Sequence, residues 1–176
     1  GAGDDTLWAN DGDDVILGGD GSDNILGGAG ADNIDGGADN DILDGGTGND
    51  IIAGGAGDDT IMAGIGDDTL SGGDGSDTLD MSAANGATID LANGTASSDA
   101  TGSDSISGFE NVIATDGDDT ITGNAANNVI DAGAGNDTVS IDAGNDHLDG
   151  GDGIDTLDLS GTSGGVTVDL AAGTAN

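Results

Sequence analysis

The chain has no lysine, arginine, cysteine, proline or tyrosine, and only one tryptophan and one phenylalanine. Each absence excludes something. Nucleic acid and anionic membrane surfaces are bound through Lys and Arg, so neither is an electrostatic partner here. The formal charge of −36 over 176 residues has no internal cation to offset it, which leaves a metal cation as the candidate source of positive charge. Without cysteine no disulfide staples the chain, and thiols say nothing of its redox compartment. No apolar run approaches the roughly 18 residues of a membrane span, and no charged-then-apolar leader is visible. Large apolar side chains are few, whereas 38 residues are glycine, which loses the most conformational freedom on folding. Without a ligand, such a composition reads as disordered.

What is present is a repeat. From Gly1 to Asp80 the chain falls into nine consecutive nonapeptides in one frame, G-G-x-G-x-D-x-U-x, the first lacking only its first residue. The sixth position holds Asp5, Asp14, Asp23, Asp32, Asp41, Asp50, Asp59, Asp68 and Asp77. The eighth holds Leu7, Ile16, Ile25, Ile34, Leu43, Ile52, Ile61, Leu70 and Leu79. A second block, 114–158, adds five units, with Asp119, Asn128, Asp137, Asp146 and Asp155 at the sixth position. Its eighth position holds Ile121, Ile130, Val139, Leu148 and Leu157. Each unit divides into a six-residue glycine-rich turn and a three-residue strand, whose central side chain points one way and whose neighbours point the other. Two units then make one flat coil. Stacked coils align the eighth-position residues into a thin core and the turns into two columns.

Units such as Gly18–Leu26 and Gly54–Met62 carry the signature of the RTX, or hemolysin-type, calcium-binding repeat family, which the chain resembles over 125 of its 176 residues. The resemblance implies a right-handed parallel β-roll, a β-solenoid of all-β class, with calcium between successive turns. It also implies secretion from a bacterium. The chemistry agrees, since calcium takes six to eight oxygens from carboxylates and carbonyls. The thirteen sixth-position aspartates are therefore the expected carboxylate ligands. The glycines of the first block supply inward-turned carbonyls, at the second position Gly19, Gly28, Gly46, Gly55, Gly64 and Gly73, and at the fourth Gly21, Gly30, Gly48, Gly57, Gly66 and Gly75. Glycines at the first, second and fourth positions permit φ > 0 and let carbonyls turn inward. One ion between each repeat and the next but one gives about ten ions, which lower the net charge to roughly −16. Folding and calcium binding become one event, with magnesium a poor substitute because of its tighter octahedral demand. Asp39 at a fourth position, with Ala126 and Asn128 in the second block, marks weakened sites, and calcium is expected to be weak or missing near Asn128.

Residues 81–113 interrupt the repeat. Thr88-Ile-Asp-Leu before Asn93-Gly94 reads as a strand and tight hairpin turn, and Ile106, Phe109, Val112 and Ile113 as an apolar plug over the open end of the roll. Residues 159–176 repeat the opening of this interruption, Thr167-Val-Asp-Leu matching Thr88-Ile-Asp-Leu, so they are expected to begin a second hairpin. The organisation expected is thus 1–80 first roll, 81–113 hairpin and plug, 114–158 second roll and 159–176 a second hairpin, the whole a slice of something longer.

Catalysis is not expected. There is one histidine, no His-Glu-x-x-His and no phosphate-loop lysine. Gly161-Thr-Ser163-Gly-Gly165 fits a hydrolase elbow, but it follows a repeat and has no downstream histidine. His147 sits at an outward seventh position, and the glycosylation triplets at Asn93 and Asn136 lie in asparagine-rich turns; none is taken as a site. The function expected is a calcium-binding structural or adhesive segment of a larger secreted or surface bacterial protein or filament. The alternative is a calcium-dependent secretion and folding module attached to a toxin or secreted enzyme, which a catalytic domain in the parent chain would favour. Trp8, Leu26 and Met62, spaced at multiples of eighteen with Ile42 nearby, are expected to line one outward face, where the chain meets copies of itself or neighbouring repeats.

Overall fold

A computed structural model describes residues 1–162 and 165–169; Ser163 of the elbow lies outside them. Among the described residues there is no helix, and the chain is a parallel β-solenoid. Its strands in the first block are β1 (Thr6–Asp11), β2 (Val15–Asp20), β3 (Asn24–Ala29), β4 (Asn33–Ala38), β5 (Ile42–Thr47), β6 (Ile51–Ala56), β7 (Thr60–Met62), β8 (Thr69–Asp74) and β9 (Thr78–Asp80). The interruption contributes β10 (Ala87–Asp90), β11 (Thr95–Ser98), β12 (Gly102–Ser107) and β13 (Asn111–Ile113). The second block contains β14 (Thr120–Thr122), β15 (Val129–Asp131), β16 (Thr138–Ser140), β17 (Asp146–Asp149) and β18 (Thr156–Asp158), and β19 (Val166–Asp169) follows.

The chain forms two compact units, Gly1–Asp80 with Thr101–Phe109, and Met81–Ala100 with Glu110–Asn176. In the first unit odd strands β1-β3-β5-β7-β9 make one sheet and β2-β4-β6-β8-β12 the other. Partners stand eighteen residues apart, as in Ile25↔Leu43 and Ile34↔Ile52, so every eighth-position side chain stacks on its equivalent. From Ile25 to Leu79 these side chains are all buried, in two facing rows, Ile25, Leu43, Ile61 and Leu79 from one sheet and Ile34, Ile52 and Leu70 from the other. The period of two in a strand then turns the seventh and ninth positions outward. In the second unit the sheets are β13-β15-β17-β19 and β11-β10-β14-β16-β18, around Ile89, Val112, Ile121, Ile130, Val139 and Leu148.

Three expectations change. Strands β1 to β6 and β8 are six residues long, running from the seventh position through the third of the next unit, so the turn proper is shorter than six residues. The second-position glycines pair in register (Gly28↔Gly46, Gly37↔Gly55), and only the first position is skipped by the ladder. Next, residues 81–113 are shared out between the units rather than forming a separate element. Residues 102–108 resume the repeat after an eighteen-residue detour, with Ser105↔Thr69 and Ile106↔Leu70 thirty-six apart. The detour itself is an antiparallel hairpin, β10 with β11, closed by Gly94 N–H donating to the Asp90 carbonyl at 2.8 Å. It leads the second unit, with Ile89 pairing Ile121. Finally, Ile106, Phe109 and Val112 are buried in the core, but Ile113 faces outward, 38% exposed. On the outward face Trp8↔Leu26 are register neighbours, and Asp44 stands between Leu26 and Met62.

Candidate metal centres

Stacking places one sixth-position carboxylate over the next, and each divides its two oxygens between two tasks. Oδ1 accepts from the backbone N–H of the sixth residue one coil earlier: Asp23 N to Asp41 Oδ1 at 2.7 Å, Asp32 N to Asp50 Oδ1 at 2.8 Å, Asp50 N to Asp68 Oδ1 at 2.8 Å. The same ladder takes in Asp5, Asp14, Asp41, Asp59 and Asp77 in the first unit and Asp119, Asp137, Asp146 and Asp155 in the second. Oδ2 is left buried without a hydrogen-bond partner in Asp14, Asp23, Asp32, Asp41, Asp50, Asp59, Asp68, Asp137 and Asp146. A buried anionic oxygen without a partner is strongly unfavourable unless a cation meets it.

The surroundings of that oxygen explain the first-position glycine. Its φ is not left-handed in Gly18, Gly27, Gly36, Gly45, Gly54 or Gly72, so the freedom that glycine permits there is not used. What requires glycine is space. A Cβ on Gly54 would collide with Asp59 Oδ2 and fall 2.6 Å from the Gly72 carbonyl oxygen, and one on Gly27 would meet Asp32 Oδ2 and the Gly45 carbonyl in the same way. A carboxylate oxygen of one turn and a first-position carbonyl of the next coil thus converge on one spot. This donor set of hard oxygens fits calcium. The second- and fourth-position glycines that were expected to supply carbonyls do have positive φ, for instance Gly28 at 117° and Gly48 at 129°. Their further role is contact, since at Gly48 any Cβ would run into the Gly30 carbonyl below. The second-position carbonyl is used within the ladder, Gly46 O accepting from Ile65 N at 2.8 Å. Asp39 takes the fourth position with φ 75°, a strained exception.

Burial pushes several of these carboxyls up, with neighbouring aspartates adding to the effect. Asp59 and Asp68 rise to about 6, as does Asp137, and Asp41 and Asp50 rise as well. Asp104 rises to about 7, again chiefly through burial. Sequence reasoning missed this residue. It accepts from Asp68 N at 3.0 Å and leaves a buried Oδ2 unpartnered, so it continues the column. The spacing Gly102-x-Asp104-x-Ile106 carries the signal, hidden by the detour. A second missed ladder uses the fifth position, an unspecified residue of the repeat. Its exposed carboxylates and amides reach forward, as Asp4 Oδ1 to Ser22 N at 3.0 Å and Asp118 Oδ1 to Asn136 N at 2.8 Å.

Two expected positions depart from the pattern. Asp119, also buried, has both oxygens satisfied by protein donors. Asn128 is buried with its side chain bonded to Glu110 and Asn124. Asp5 and Asp155, at the outermost turns of their blocks, are only half-buried. His147 is exposed on β17 opposite Val129. A sequence model of the RTX calcium-binding nonapeptide repeat matches residues 1–25, 17–52, 44–79, 104–139 and 142–166. No curated protein matches the chain.

Proposed function

Since the chain belongs to the RTX calcium-binding nonapeptide repeat family, we propose that it is a calcium-stiffened structural or adhesive segment of a larger secreted or surface bacterial protein. The observation that carries this reading is the column of buried, unpartnered Oδ2 atoms facing first-position carbonyls of the next coil. Calcium would be held by Asp14, Asp23, Asp32, Asp41, Asp50, Asp59 and Asp68 of the first unit, joined by Asp104, and by Asp137 and Asp146 of the second, with carbonyls such as those of Gly36, Gly45, Gly54 and Gly72. Bound there, it would supply positive charge. About ten ions, as the repeat count suggests, would offset much of the −36 charge. With so thin a core, the roll depends on that charge for compactness, which places its working state where calcium is high micromolar to millimolar, outside cells. Contact with further copies through the Trp8–Leu26 strip is the association this reading allows, Trp8 being 72% exposed.

The test is circular dichroism with small-angle scattering, first in chelator and then in millimolar calcium. The expected result is an expanded chain of low β-content that contracts and gains β-signal together, with magnesium ineffective. Equal compactness and β-content in chelator would refute the reading.

A further inference from the structure

We infer that two consecutive turns of the second unit, at Thr115–Asp119 and Asn124–Asn128, take no calcium and hold their conformation without it, leaving a metal-independent coil inside a calcium-dependent protein. The inference rests on the calcium reading for the rest of the chain, and on the side chains of these turns for itself.

In the first unit the second position is a glycine, or Asn10, whose side chain turns away to the Trp8 carbonyl, and the sixth-position carboxylate keeps a free oxygen. Here the second positions are Thr115 and Asn124, and each side chain folds back onto the sixth residue of its own turn. The Thr115 hydroxyl lies 2.8 and 3.1 Å from the two oxygens of Asp119 and donates its proton to that carboxylate. Thr115 N adds a bond to Oδ2 at 2.9 Å, and Ala87 N of the hairpin one to Oδ1 at 2.5 Å. The hydroxyl oxygen in turn accepts from Gly86 N at 2.8 Å and Gly117 N at 2.9 Å. Every donor and acceptor in this knot is matched by protein, and an entering cation would have to expel the hydroxyl. The stabilisation that a metal gives Asp59 comes here from charge-assisted hydrogen bonds.

In the next turn the chemistry is inverted. Asn128 is neutral, and its Nδ2 carries protons where Asp50 or Asp59 presents an oxygen. Those protons go to the Glu110 carbonyl at 2.9 Å and Asn124 Oδ1 at 3.0 Å, while Asn128 Oδ1 accepts from Asn124 N at 3.0 Å. The atom that faces the first-position glycine is Asn128 Oδ1, 2.6 Å from where a Gly123 Cβ would stand; it is uncharged and already accepts from Asn124 N, so a cation finds no anionic ligand here. Asn128 is nevertheless fully buried and keeps the ladder bond to Asp146 Oδ1 at 3.0 Å. The two turns precede β14 and β15, so one coil is wired by side chains in both of its turns. Hairpin strand β10 pairs with β14 in register, and Ile89, Ile121, Ile130 and Val112 close the apolar interior.

Hydrogen–deuterium exchange on the full chain, read by mass spectrometry in chelator and in millimolar calcium, decides the matter. In chelator, peptides covering 87–90, 119–122 and 128–131 should keep amide protection of at least tenfold over the unfolded rate, while peptides over 24–62 exchange freely and gain protection only with calcium. Loss of protection over 119–131 in chelator, in step with 24–62, overturns the inference. Protection over 24–62 in chelator instead overturns the calcium reading of the first unit, so the two failures are distinguishable. A triple variant, Thr115→Gly with Asn124→Gly and Asn128→Asp, restores first-unit chemistry. It should bind more calcium per chain by equilibrium dialysis and make 119–131 calcium-dependent in exchange. Equal stoichiometry in variant and wild type refutes the inference, and should the variant fail to fold, the wild-type exchange pattern alone decides.

Discussion

Replacing Asp50 with Asn isolates the metal ligand from the structural bond. Asp50 is buried in the middle of the first unit; its Oδ1 accepts from Asp32 N at 2.8 Å and its own N donates to Asp68 Oδ1. Asn keeps both bonds, because it retains a carbonyl oxygen and the backbone is untouched. It loses only the anionic Oδ2, which has no protein partner, and presents an N–H pair where the cation would sit. One ion lost at calcium a hundredfold above its Kd removes about 2.7 kcal/mol of stabilisation. In a unit of under 100 residues each kcal/mol moves Tm by about 4–8 °C, so the first unit should melt about 10–20 °C lower. The control is Asp131→Asn, at an exposed ninth position whose Oδ1 only caps Gly133 N at 3.2 Å. It should stay within about 0.5 kcal/mol of wild type. Thermal circular dichroism at fixed free calcium, with the calcium midpoint at fixed temperature, reads both. Equal shifts for the two variants would refute the division of labour between Oδ1 and Oδ2.

Gly54→Ala puts a methyl group between Asp59 Oδ2 and the Gly72 carbonyl at a φ that alanine tolerates; it should lower calcium stoichiometry and raise the midpoint, and an unchanged stoichiometry by dialysis would contradict the cradle. Asp59, Asp68 and Asp137 titrate near 6 and Asp104 near 7 in the metal-free roll, all raised above the ordinary carboxylate range by burial. A raised carboxyl favours the folded state below about pH 4 and loses that contribution as pH climbs through 6 to 7. The metal-free chain should therefore gain β-signal on acidification in chelator, while the calcium midpoint rises as pH falls from 7.5 to 5.5 because protons compete; a midpoint independent of pH would disagree. Trp8→Ser with Leu26→Ser should reduce any calcium-dependent association seen by sedimentation, and a strictly monomeric wild type at high micromolar concentration removes that contact.

The sequence by itself determined the class of fold and the identity of the metal, because both follow from local, repeated chemistry. A nonapeptide with one aspartate and one aliphatic at fixed spacing points to a stack of coils, and Ile25, Ile34 and Leu43 are duly buried, Ile25 stacked on Leu43 and Ile34 on Ile52. A chain with 36 acids and no Lys or Arg leaves little but a cation to stabilise it. Only the tertiary structure decided which oxygens remain for that cation. Whether an aspartate faces a metal depends on what the neighbouring coil offers it. Asp50 and Asp119 occupy the same repeat position, yet Asp119 meets the Thr115 hydroxyl and the hairpin's Ala87 N, while Asp50 Oδ2 meets no donor. The reassignment of residues 81–113 has the same cause. A coil joins whichever sheet edge its register fits, so Asp104 and Ile106 stack on Asp68 and Leu70 thirty-six residues away, a distance that the eighteen-residue period alone does not reveal.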